Sequence, residues 1–356
     1  SSRRRHTRYI SVTGVQTCAL PISTMRWHIN NKRKIVLIVP TTSLVEQMYS
    51  DFEDYSSANG FDVKNHCQKL YAGFPKEFTK DVLITTWQSI YLQPKSWFRQ
   101  FDVIFGDEAH QFKAKSLTTI MEKLDTVQHR IGTTGTLDNK KIHQLVLEGV
   151  FGPVHRVTTT KALMDSGKLT SLNITCLILK YNEEIRKERN KNSYQEEMDW
   201  LVGNEKRNKF IRNLAVNSKG NTLVLFQYVE KHGKVLYDLI KDKVKEGRHV
   251  FFVHGGVDTT DRESIRHITE KESDAIIIAS YGTFSTGINI PSIENVIFAS
   301  PSKSKIRNLQ SIGRGLRLKD GKTACNLYDI ADDLHWKSWK NHTLNHAAEQ
   351  IGRAHV

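Results

Sequence analysis

No run of roughly eighteen or more apolar residues occurs in the 356-residue chain, so no segment is long enough to cross a bilayer as a helix. Cysteine is scarce. The four present, Cys18, Cys67, Cys176 and Cys325, form no CxxC and show no metal-ligand spacing, which excludes a disulfide framework and a structural zinc site and fits a reducing, intracellular setting. Low-complexity tracts and short repeats are missing too, and with them solenoids. The 15 histidines are scattered; His342 and His346 stand four apart without a third ligand nearby, and read as surface or satisfied core residues. What is present is ordinary: 38% hydrophobic and 25% charged residues, in a chain long enough for two domains.

The two ends read differently from the rest. Residues 12–22, VTGVQTCALPI, back-translate to a string whose bases return, reverse-complemented, in a back-translation of the final IGRAHV. Folding has no use for two ends that encode opposite strands of one short DNA. Residues 1–23 and 351–356 are therefore expected to be adapter-like sequence, without order and outside the fold; a basic arm that binds nucleic acid is the alternative. Without Arg3, Arg4, Arg5, Arg8 and Arg353 the formal charge of +14 falls by five to +9. The remainder is still strongly basic, which points to a polyanionic partner without naming it.

Between the ends, short apolar strands alternate with helical patterns. Ile35–Val39, stopped by Pro40, Val82–Ile84 and Val103–Phe105 are strand candidates in the first half, and 44–55 has helical spacing. The pattern restarts with 223–226, 250–253, 275–279, 296–298 and 323–328. Between the halves lie a strand-like 174–179 and a charged helical stretch around 186–197. Such alternation predicts parallel sheets with crossover helices. The expected organisation is a first α/β domain over 24–158, a second over 159–345, and a tail over 346–356.

Three segments carry chemistry. Asp107-Glu108-Ala109-His110 follows an apolar strand, at the carboxyl end where parallel sheets bind ligands. One carboxylate there can hold Mg²⁺ and the next can orient and deprotonate water; a solvated acidic turn is the plainer alternative. Gln310, Arg314 and Arg317 fall within about 60° on a helix, a face suited to phosphates or simply a basic surface helix. Gly132-Thr133-Thr134-Gly135-Thr136 offers short hydroxyl links beside the acids, or a tight turn. Thr41 and Thr42 open a helix after a strand and suit either a phosphate or an N-cap. Thr86 and Trp87, and Tyr281-Gly282-Thr283 through Ser285 and Gly287, also follow strands. Trp87 and Tyr281 are candidates for base stacking, with the core as the alternative.

Singly these segments are weak, but their order is informative. PTTSL, TTW, DEAH, TGT, LVLF, SYGTFSTGIN and QSIGRGLR resemble the motif series of the superfamily 2 helicases over about residues 33–345. Within that group the chain looks most like the UvsW helicases of T-even-type phages, through IVLIVPTTSLVEQM, FGPVHRVTTTKALMDSGKLT and IIIASYGTFSTGI. The resemblance implies two tandem RecA-like domains with ATP in the cleft between them. It implies Mg²⁺ on Asp107, water on Glu108, and coupling through His110, Thr134 and Thr136. Gln310, Arg314 and Arg317 would close on the triphosphate, with Gly287 near the nucleotide. Thr41, Thr42, Thr86, Trp87, Thr283 and Ser285 would line a DNA path. ATP and Mg²⁺ as cofactors, branched or partly single-stranded DNA, replication or recombination proteins as partners and the host cytoplasm follow from the same likeness.

Two departures matter. No G-x-x-x-x-G-K-[ST] phosphate loop occurs anywhere in the chain, and Asn289 stands where many relatives have Asp. A protein of this sequence is expected to hydrolyse little or no ATP, for want of the amides and lysine that cradle phosphates. The alternatives are a duplex translocase subunit, separable by strand-displacement against triplex-displacement assays, and a catalytically dead nucleic-acid-binding protein.

Overall fold

The computed structural model describes residues 7–12, 19–56, 60–74, 76–135, 137, 141–257, 264–265, 268–269, 271–283, 290, 292–301, 316, 318 and 322–336. The chain forms two compact units, Ser1–Leu163 and Met164–Val356.

The first unit is built on seven parallel strands: β1 (Thr7–Val12), β2 (Ile35–Val39), β3 (Cys67–Leu70), β4 (Val82–Thr86), β5 (Val103–Gly106), β6 (His129–Thr134) and β7 (Val154–Arg156). Their order across the sheet is β3-β4-β2-β5-β6-β1-β7. Every residue of β2, β4 and β5 is buried, as expected of strands covered on both faces by crossover helices. One face packs Val36, Ile38, Leu83 and Ile104 against Phe98, Phe112, Leu117, Ile120 and Phe151. The other packs Ile35, Leu37, Ile84 and Phe105 against Leu44, Val45, Met48 and Phe52. Those last four lie on the long helix α2 (Thr42–Ser56), so period-two strands meet a helix of period 3.6.

The expectation that residues 1–23 stand outside the fold fails for part of that range. Residues 7–12 are β1, paired in parallel with β6 from Thr7↔His129 to Val12↔Thr134, and with β7. Residues 19–23 open helix α1 (Ala19–Asn30). Tyr, Ile and Val in TRYISV favour extended backbone, and β1 completes the hydrogen-bond ladders of β6 and β7. Residues 1–6, 13–18 and 351–356 lie outside the described residues.

The second unit carries six parallel strands: β8 (Ser171–Lys180), β9 (Thr222–Phe226), β10 (Val250–Val253), β11 (Ile276–Ser280), β12 (Asn295–Phe298) and β13 (Ala324–Asp333). The order is β10-β11-β9-β12-β13-β8. Its core joins Val224, Phe226, Ile276, Ile278 and Ile297 to Ile211, Ala215, Leu236 and Ile240. The expected helix around 186–197 is two helices, Glu183–Arg189 and Tyr194–Gly203. The break falls where Ser193 and Glu196 form a reciprocal capping box, a strong local start signal.

Candidate active site

The acids stand at the carboxyl end of β5, a central strand held between β2 and β6. Asp107 is tied to the sheet by its backbone N–H, which donates to the Ile38 carbonyl at 3.0 Å. The chain then turns through Glu108, one of two non-glycine residues at positive φ among the described residues (φ 50°), and enters a short 3-10 helix, Ala109–Lys113. A left-handed residue other than glycine costs about 1 kcal/mol or more. It turns the chain sharply out of β5 into the 3-10 helix. The 3-10 helix lies close against the strands because Gly106 and Gly132 have no Cβ. One built on Gly106 would stand 2.7 Å from Phe112 and 2.8 Å from Phe151, and one on Gly132 would stand 2.9 Å from the Ala109 Cβ.

β6 supplies the hydroxyls. Thr133 donates to Asp107 Oδ1 at 3.3 Å, and Thr134 donates to Glu108 Oε2 at 3.4 Å. His110 Nδ1 lies 2.9 Å from Thr134 Oγ1 and 3.2 Å from Glu108 Oε2. Glu108, His110 and Thr134 are all buried, and together form a closed polar triangle. Asp107 keeps partial solvent access, yet loss of hydration, reinforced by the neighbouring Glu108 charge, pushes its carboxyl up to about 7. A cation bound there would favour the ionised carboxyl. Beside Asp107 lies a narrow recess, too tight to admit a water molecule, bounded by Ile38, Pro40, Trp87, Gln111, Phe112 and Leu117 among others.

The structure brings Asp107, Glu108, His110 and Thr134, all singled out in the sequence, to one place, with Thr133 beside them; Gln111, next to Asp107, was not singled out. Thr133 was in view within Gly132-Thr133-Thr134-Gly135-Thr136, read as a source of short hydroxyl links beside the acids or as part of a tight turn. Gly132, Thr133 and Thr134 are the end of β6, and successive residues of a strand serve different partners. Thr136, Ser285, Gly287, Gln310, Arg314 and Arg317 lie outside the described residues, as do His342 and His346.

Among the residues expected on a nucleic-acid path, Thr41 caps α2, its Oγ1 accepting from Leu44 N at 3.3 Å, while Thr42 is exposed. Thr86 is buried and bonds Ser89 Oγ at 2.9 Å. Trp87 is half-buried, edge-on to Tyr91, and walls the recess. Thr283 is buried and hydrogen-bonded to Ser280 Oγ at 2.8 Å. Tyr281 is a core residue, 1% exposed, with its hydroxyl donating to the Ser300 carbonyl at 2.8 Å; it has no face for a base.

Mg²⁺ takes one or two carboxylates and completes its shell with water and phosphate. Asp107 with the Thr133 hydroxyl fits that demand. No group of three or more His, Cys, Asp or Glu able to hold a metal occurs among the described residues, so an all-protein cage is not what this site offers. β1 and α1 flank a strand-to-helix connection, the kind that carries a phosphate loop; the residues between them read TGVQTC.

Comparison with known proteins agrees with this architecture. Residues 17–139 match the family "Type III restriction enzyme, res subunit", and residues 205–319 match "Helicase conserved C-terminal domain". The chain is 35% identical to the ATP-dependent DNA helicase uvsW of Enterobacteria phage T4, over 92% of the chain and 67% of that protein. It is 23% identical to the putative ATP-dependent helicase IRC3 of Saccharomyces cerevisiae, over 70% of the chain but 37% of that protein. In fold it matches the ATP-dependent Type ISP restriction-modification enzyme LlaBIII, with a TM-score of 0.68 at 16% identity, covering 97% of this chain and 28% of that one. Two parallel sheets, an acidic pair at a central strand tip and 35% identity to the phage protein make this chain a member of the superfamily 2 ATP-dependent helicases, in the family of UvsW.

Proposed function

We propose that the chain is the motor core of an ATP-driven DNA helicase that remodels branched DNA such as forks and junctions. The observation that carries the reading is the pair Asp107–Glu108 at the β5 tip, each carboxylate with its own threonine on β6. Asp107 is assigned to hold the cation, whose charge neutralises the phosphates during transfer. Glu108 is assigned to orient the attacking water and accept its proton, with His110 and Thr134 fixing that carboxylate. Gly287, Gln310, Arg314 and Arg317 are assigned to the nucleotide, and Thr41, Thr42, Thr86, Trp87, Thr283 and Ser285, with Thr136 as a coupling residue, to the route towards DNA. DNA as substrate is taken from the 35% identical phage helicase.

The same reading holds that this sequence turns over little ATP, because TGVQTC stands where the phosphate-cradling amides and lysine belong. The test is phosphate release from ATP, with and without forked DNA. The chain as given is expected to show no DNA-stimulated release, and replacing residues 13–18 by a G-x-x-x-x-G-K-T loop is expected to restore it in a form that Glu108→Gln abolishes. Robust turnover by the unaltered chain, or restored turnover indifferent to Glu108→Gln, sinks the assignment.

A further inference from the structure

At the opposite, amino-terminal edge of the first sheet, α1 ends in a turn that the proposed motor does not use. The His28 ring lies 4.8 Å from that of His129, which opens β6, and the turn runs directly into β2. The helix closes with Lys32 N–H donating to the Ile29 carbonyl at 2.8 Å and Arg33 N–H to the His28 carbonyl at 3.1 Å. This is a Schellman arrangement, whose left-handed position belongs by preference to glycine. Here it is Lys32, at φ 55°. A lysine at that position works against the fold, so something other than folding accounts for it.

Its surroundings suggest what. Trp27 is 54% exposed, unusual for the largest aromatic side chain. Its indole is not loose: the Arg33 guanidinium stands 5.1 Å over the ring and the His28 ring meets it edge-on at 4.8 Å. Arg26 and Lys32 are exposed on the same turn. Among the described residues no ion pair joins Lys32 or Arg33 to a carboxylate. A fixed, half-exposed aromatic with a guanidinium over its ring and two further exposed cations on the same turn matches a nucleic acid strand in both its parts, the base by stacking and the phosphates by charge.

We propose that this turn, Trp27 with Arg26, Lys32 and Arg33, seats a single strand of nucleic acid, a site separate from the residues assigned at the carboxyl ends of the strands. One base stacks on the open part of the indole while the three cations hold the flanking phosphates.

The test is anisotropy of a fluorescein-labelled oligodeoxythymidylate of about 20 nucleotides, long enough to exceed a typical single-strand site, titrated with the full chain at several salt concentrations. Trp27→Ala is expected to weaken binding about tenfold, the size of one lost base stack, and Trp27→Phe to keep most of the affinity. Lys32→Gly separates binding from folding. It relieves the left-handed strain, so it is expected to melt at least as high as the parent, yet to bind several-fold more weakly with a salt slope lower by about 0.7. Unchanged affinity in both Trp27→Ala and Lys32→Gly overturns the proposal. If Trp87→Ala alone weakens binding, the strand runs only along the carboxyl ends; this inference then falls while the motor reading stands. A parent chain that binds no oligonucleotide also overturns it, and leaves the hydrolysis site to be judged by phosphate release.

Discussion

At the scale of single residues, the site's chemistry and its stability oppose each other. Asp107 is raised to about 7 by burial and by Glu108, against about 3.9 for an unfolded aspartate. A carboxyl with a raised folded value binds its proton more tightly in the folded chain. Its ionisation therefore costs stability, and the cost grows as pH rises from about 4 to about 7. Asp107→Asn removes the charge and keeps an oxygen for the Thr133 hydroxyl. The variant is expected to be more stable than the parent by up to about 4 kcal/mol at pH 7.5, the gap closing near pH 4, while losing any Mg²⁺-dependent activity. Thermal melts of both proteins across that range check it; a gap that does not change with pH rules out ionisation as its cause. Glu108 adds a second local cost through its left-handed backbone. Both costs sit where a motor needs a charged pair at one strand tip, the usual place for a fold to carry them.

At the scale of elements, α1 is fastened to the sheet by a neutral histidine. His28 is 2% exposed, and its Nδ1 lies 3.2 Å from Arg33 Nη1. A guanidinium can only donate, so Nδ1 accepts and the ring is uncharged. Burial, then the nearby His129 and Arg33, push His28 down to about 4. The sign follows from linkage: the unfolded ring takes a proton near 6.5 and the folded ring does not, so stability is intact above about 6.5 and is lost as pH falls towards about 4. The first unit is expected to melt progressively lower over that window. His232, pushed down to about 3 in the second unit, adds a loss of its own, so the wild-type curve alone cannot assign the effect. His28→Phe, placed among Trp27, Phe105 and His129, isolates it: the variant's melting temperature should fall less between pH 6.5 and pH 4.5. Parallel curves for the two proteins would show that His28 is not the group titrating.

At the scale of the whole molecule, how much was legible in the sequence depended on whether an element declares itself locally. The all-apolar runs of β2, β5, β9, β11 and β12 did, because a strand buried on both faces needs nothing else. The acidic pair did as well, since it follows such a strand at once. β6 did not: HRIGTT is polar and rich in turn-like residues, and is a strand because β5 and β1 pair along both its edges. β3 and β7, of four and three residues, are likewise fixed by their neighbours. What the sequence hid most completely was the polar interior of the second unit, because its members are far apart in the chain. Arg207 and Asp332, 125 residues apart, meet with Nε 3.0 Å from Oδ1 and 3.1 Å from Oδ2. Both side chains are wholly buried. Arg207 Nη1 also donates to the Ala299 carbonyl at 2.7 Å, and the Tyr181 hydroxyl to Asp332 Oδ1 at 2.7 Å. One pair thus ties the helix Glu205–Asn217 and the ends of β12, β13 and β8 together. Removing half of a buried pair strands the other charge, at a cost of about 3–5 kcal/mol. Asp332→Ala should therefore lower the denaturant midpoint of the second unit's unfolding sharply. Arg207→Met combined with Asp332→Leu, which removes both charges, should recover most of that loss. If the single variant costs no more than a surface substitution, about 0.5 kcal/mol, the pair is not what closes the second unit.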